Sequence, residues 1–186
     1  MDNLLLQNEI SYWQSILPKT NNPKLLELAF FKIFIKFEKF ASDLFIHYSI
    51  GNSSIEGYCP NRTLCFLDDT HLNSVIRNKN KGFVNYYENI TELSQHIFID
   101  NPFEIITTDS VFSSEFNNMK ILRNYIAHES QFAENKYIIS LLNNRSFIEP
   151  YLFLEKNRKN TGKSNFTTYV EIMNNTSEYL LKGPVT

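Results

Sequence analysis

The chain has 186 residues, 42% of them hydrophobic and 20% charged, which is enough to build one domain around a substantial core. Eighteen Lys and Arg against twenty Asp and Glu leave a formal net charge of −2, which excludes a polycation that coats nucleic acid without selection; such a contact needs a local basic patch. Cys59 and Cys65 are too widely spaced for a CxxC pair and lack a second pair, so they read as free thiols and no metal site or other cofactor is expected.

The stretch from Met1 to Gln14 has no basic region and only the short apolar run Leu4, Leu5, Leu6. It does not read as a secretory signal, and a cytoplasmic location is expected. Asp2 to Leu17 reads as a short amphipathic helix ended by Pro18. Pro23 then sits in the first turn of a long helix that reaches about Ile50 and is closed by Gly51. Its most apolar part, Leu25 to Ile46, is interrupted by Lys32, Lys36, Lys39 and Asp43, which argues against a membrane span.

Residues 51 to 68 are rich in Gly, Ser, Asn and Pro and read as a surface loop. Shorter helical pieces are predicted at Asp69–Arg77, Phe83–Glu88 and Thr91–Phe98, with Tyr86-Tyr87 as an exposed-looking aromatic pair. Asn101-Pro102 marks a break, after which Thr108 or Asp109 is placed to cap a helix from Ser110 to about Ala127. Tyr137–Leu142 and Ile148–Leu154 are brief apolar runs that fit short strands or helix ends equally. Residues 137–164 are therefore read as a short β-hairpin or an irregular segment. Phe166–Leu181 is a final helix, stopped by Gly183-Pro184. The expected fold is all-α, one domain over residues 1–186, with the two N-terminal helices forming a long hairpin.

Two apolar faces carry charges. Projection of Ser110–Ala127 at about 100° per residue puts Arg123 in the middle of a wedge of roughly 80° with Phe112, Phe116, Met119 and Ile126. On the long helix Lys32, Lys36, Lys39, Asp43 and His47 form a solvated stripe, while Glu27 and Glu38 fall opposite, among Phe31, Phe34, Ala41 and Phe45. A charge on a core face needs a partner. Glu38, with Glu27 as the lesser candidate, is expected to hydrogen-bond Arg123 and fix its guanidinium. His128 falls at the helix end, about 140° from Arg123, so the two converge only if the last turn unwinds or a second protomer completes the site.

Leu122-Arg123-Asn124-Tyr125-Ile126-Ala127-His128 combines a permanent, forked cation suited to phosphate with a side chain able to exchange protons near neutral pH. This Arg-x4-His element with Asn after the Arg resembles the HEPN superfamily (higher eukaryotes and prokaryotes nucleotide-binding), whose active members are metal-independent ribonucleases. The resemblance implies a helical bundle paired as a two-fold homodimer, with the Arg and His of both protomers facing one cleft. It also implies attack of an RNA 2′-OH on the adjacent phosphate, which spares DNA. In that chemistry His128 is the general acid or base, Arg123 stabilises the transition state and Asn124 holds a phosphate oxygen or the attacking hydroxyl.

One HEPN subgroup carries a modifiable Tyr two positions after the His, where this chain has Ser130, so that regulation is not implied. The chain is similar to abortive-infection and RiboL-PSP-like toxin members, which implies a toxin or phage-defence role alongside a cognate antitoxin. The alternative, of a different class, is a catalytically silent module holding a nucleotide or a protein.

Lys156, Arg158, Lys159 and Lys163 form the most basic run, which ends in Gly162-Lys163-Ser164 and imitates a P-loop. The pattern needs Gly at 157, where Asn157 stands, so the run reads as a solvated loop first and an RNA-backbone contact second.

Overall fold

Proline and glycine set the ends of the first two helices. In the computed structural model, which describes residues 1–76, 86–108 and 110–183, α1 spans Leu4–Ile16 and tightens at Pro18 into a 3-10 turn, Leu17–Lys19. The next helix, α2, spans Lys24–Ser49, and its Lys24 N–H is capped by Asn22 Oδ1 at 3.1 Å. At its far end Gly51, at φ +90°, sends its N–H to Tyr48 O and lets Asn52 reach His47 O, both at 3.0 Å. This is the paired closure that a left-handed residue permits.

The remaining helices are α3 (Asp69–Ile76), α4 (Tyr86–Ile97), α5 (Glu104–Thr107), α6 (Ser110–His128), α7 (Gln131–Ser140), α8 (Pro150–Glu155) and α9 (Asn165–Lys182). No strand occurs among the described residues, and the fold is all-α. Among the same residues no helix is long and apolar enough to cross a membrane.

Several local expectations change or are decided between their alternatives. The pieces expected at Phe83–Glu88 and Thr91–Phe98 are replaced by the single α4, although residues 83–85 and the Tyr86-Tyr87 side chains lie outside what is described. The ambiguous run at Tyr137 is the second half of a helix, started by Ser130, whose Oγ accepts the Ala133 N–H at 3.3 Å. Ile148–Leu154 becomes α8, with Pro150 at the first position. Within residues 137–164 helix covers Tyr137–Ser140 and Pro150–Glu155, and the hairpin reduces to one antiparallel bridge, Asn157 to Ser164. The Thr108 hydroxyl turns back to Glu104 O, and the cap expected of Asp109 lies outside the described residues.

The chain divides into two compact units. The first comprises Met1–Leu4, Phe37–Asp109 and Asn175–Thr186. It is built on α2 residues Phe37, Ala41, Leu44, Phe45 and Tyr48, all fully buried. Phe45, Phe98 and Phe103 form an aromatic cluster with centroids 5.8 to 6.1 Å apart. Its long loop is pinned by backbone bonds: Ile99 N–H donates to Asn61 O at 2.9 Å, and Ile55 N–H to Met1 O at 2.9 Å. The terminal carbonyls of α9 are met by side chains, Leu180 O by the Tyr48 hydroxyl at 2.7 Å and Leu181 O by Ser54 Oγ at 2.6 Å.

The second unit comprises Leu5–Lys36 and Ser110–Asn174. Leu6, Ile10 and Trp13 of α1, Phe30, Ile33 and Phe34 of α2, Phe116, Met119 and Leu122 of α6 and Tyr169 and Met173 of α9 supply its buried side chains. Phe116 and Met119 are the buried members of the wedge expected around Arg123.

Candidate functional site

The end of α6 and the start of α7 enclose an open cavity of about 320 Å³. One face of α6 supplies Asn117, Lys120, Ile121, Asn124 and His128, spaced so that successive turns of the helix stack them. The opposite wall is Ser130, Phe132, Ala133 and Lys136. Two lysines, a histidine, two asparagines and a serine therefore line it, and among the described residues no carboxylate does. Anions are the ligands such a lining favours.

The wall from α7 is held by what lies behind it. Tyr137 is fully buried and stacks on Tyr125 of α6, ring centroids 5.1 Å apart and planes 4° from parallel. Phe147 and Phe153 close on Tyr137 edge-on at 6.1 and 6.0 Å. Burial pushes the Tyr137 phenol well up, so it stays protonated and donates to Ile148 O at 3.2 Å. The connection is short: α6 runs through His128, Glu129 turns left-handed at φ +45°, and Ser130 already caps α7. The last turn of α6 does not unwind before His128.

Asn124 and His128, four residues apart, both face the cavity, and His128 is exposed at its rim. Arg123 is half-buried and is not among the lining residues. Its guanidinium lies 5.8 Å from the centroid of the Phe34 ring, and its Nη1 donates to Asn124 Oδ1 at 2.7 Å. Within one chain the Arg therefore reaches the cavity through the Asn. Glu38, the expected partner of Arg123, lies in the first unit.

Glu27 has a different employment. Its Oε1 accepts the Tyr151 N–H at 2.9 Å and so caps α8, whose own N-cap Glu149 makes no side-chain cap. Burial raises its pKa above the usual carboxylate value, against the opposing Tyr151 hydrogen bond.

The basic run splits in two. Arg158 makes a fork to Glu115, at 2.5 and 3.0 Å, and donates through Nε to Asn165 Oδ1 at 2.8 Å. Its guanidinium sits 5.1 Å from the Tyr169 centroid, and the Glu115 bonds outweigh the cost of burial and raise its pKa. Lys163 Nζ grips both Glu171 oxygens, at 2.7 and 2.8 Å. Lys156 and Lys159 are exposed. Among the described residues no three His, Cys, Asp or Glu side chains gather where they could hold a metal ion.

Lys120, Lys136, Asn117 and Phe132 escaped the sequence reading. Their signal was there: Asn117, Ile121, Asn124 and His128 repeat at steps of four, three and four, and Phe132 and Lys136 are four apart. No family model, curated protein or solved structure matches this chain.

Proposed function

We propose that the chain is a HEPN-type, metal-independent endoribonuclease acting as a homodimer in a toxin or phage-defence role, with a cognate antitoxin. The observation that carries this reading is the cavity where Asn124 and His128 meet Lys120 and Lys136 without a carboxylate, with Arg123 bonded to Asn124 from behind. A phosphodiester is the anion that suits this set.

In the reaction the 2′-OH of RNA attacks the neighbouring phosphorus and the P–O5′ bond breaks. The attacking hydroxyl gives its proton to a base and the departing 5′ oxygen receives one from an acid, leaving a 2′,3′-cyclic phosphate and a 5′-OH. His128 serves as either, and in a two-fold dimer the two imidazoles divide the roles. Arg123, oriented by Asn124, stabilises charge on the phosphorane-like transition state. Lys156 and Lys159, exposed on the loop before α9, add backbone contacts to the RNA.

The test compares RNA cleavage in EDTA by the wild type, Arg123→Ala and His128→Ala. Cleavage abolished by either substitution, with cyclic-phosphate ends from the wild type, supports the reading; equal activity in all three sinks it. A second reading, a catalytically silent module that holds a nucleotide, is favoured by one observation, the absence of Arg123 from the cavity lining. Retained oligonucleotide binding with no turnover selects it.

A further inference from the structure

Phe132 is 70% exposed, stands in the first turn of α7 and lines the cavity beside His128. A phenyl ring left in water is not explained by packing, since the buried side chains of that segment are Ala133 and Tyr137. Its near neighbour is a cation: Lys136 Nζ lies 4.8 Å from the ring centroid. A ring with an ammonium over one face, at the edge of a cavity lined by no carboxylate among the described residues, combines the two parts that single-strand binders use, one for the base and one for the phosphate.

We propose that Phe132 and Lys136 form a subsite for one nucleotide of single-stranded RNA, the base stacked on the Phe132 ring and its phosphate held by Lys136. This rests on the ribonuclease reading for the identity of the ligand and deepens it by naming the form of RNA. The cavity, about 320 Å³, is of the size small-ligand sites have. A paired base has no free face to offer, so a duplex is refused.

Binding of a fluorescent, uncleavable 2′-O-methyl single-stranded oligonucleotide, followed by anisotropy, tests this apart from catalysis. Phe132→Ala is expected to weaken it about tenfold without changing its salt dependence, whereas Lys136→Ala lowers the salt slope by roughly 0.7. An abasic strand of the same length is expected to bind wild type and Phe132→Ala alike, and a duplex to compete poorly. Exposure of Phe132 makes the variant safe to fold, and an unchanged thermal melt checks that. Equal oligonucleotide affinity of wild type and Phe132→Ala overturns the subsite, as does a loss of affinity that tracks a loss of self-association measured by sedimentation. Wild-type cleavage with no Phe132 effect on binding sinks the subsite and spares the nuclease; Phe132-dependent binding without cleavage does the reverse.

Discussion

Arg123 and Asn124 are neighbours in sequence that face different ways, and a 2.7 Å hydrogen bond from the guanidinium to the amide oxygen joins them. One is half-buried over the Phe34 ring and the other lines the cavity, so Asn124 transmits the position of the cation to the surface where a substrate would lie. If the proposed activity holds, Asn124→Ala should lower kcat about tenfold to a hundredfold with KM little changed, because it disturbs the orientation of a group that acts in the transition state. Steady-state kinetics on a short RNA checks this, and a change confined to KM would assign Asn124 to ground-state binding.

Glu27 separates two effects that usually travel together. Glu27→Ala leaves the Tyr151 N–H without its cap and should cost about 1 kcal/mol. Glu27→Gln keeps an acceptor and removes a charge that burial disfavours. Because the folded pKa is raised, the stability this carboxyl contributes is full below its unfolded value and is lost as pH rises through the folded one. Urea melts from pH 4 upward should therefore show a fall in the wild type that is missing in Glu27→Gln.

The four cations of the 156–163 loop should not behave alike. Removing Arg158 strands Glu115 and Asn165, so Arg158→Met is expected to destabilise by about 1 to 3 kcal/mol, read as a lowered Tm. Charge reversal at exposed Lys156 and Lys159 should leave Tm within a degree or two and weaken RNA binding with a shallower salt dependence. If Lys156→Glu and Lys159→Glu left binding untouched, the loop would have no share in RNA contact.

The first unit is expected to fail in alkali. Burial, assisted by Tyr179 and Asp100, pushes the Tyr58 phenol up to about 12. Stability from a raised phenol is complete below the ordinary value of about 10 and is lost as pH climbs through the folded value. Tyr58→Phe should flatten the stability curve between pH 10 and 12, and at neutral pH it removes a buried hydroxyl that has no partner among the described residues. Phenolate absorbance and Tm across that range measure both effects.

What could be seen in the sequence was what local covalent geometry decides. Pro18, Pro23 and Gly51 end or start helices because their backbones permit little else, and the long helices around them follow. The shared face of Asn124 and His128 follows from a spacing of four on a helix already recognised. The partners were not visible, because they are chosen across the chain. Burial of Glu27 showed in the pattern, yet its target is a backbone N–H 124 residues away. The α7 helix was hidden because Tyr137-Ile138-Ile139 has the composition of a strand, and packing of Tyr137 on Tyr125 outweighs that preference. Arg158 reads as part of a solvated loop, with RNA contact second, because Glu115, 43 residues earlier, gives no sign of being its match.

Between His128 and the first residue of α7 stand only Glu129 and Ser130, and the left-handed turn at the former lets the chain double back at once. A tether this tight acts as a ruler. Adding or removing one residue there would shift the phase of α7 against a stacked tyrosine that cannot follow, and would carry Phe132 and Lys136 off the rim. Length at this corner should thus tolerate less change than residue identity, the reverse of what ordinary surface connections allow.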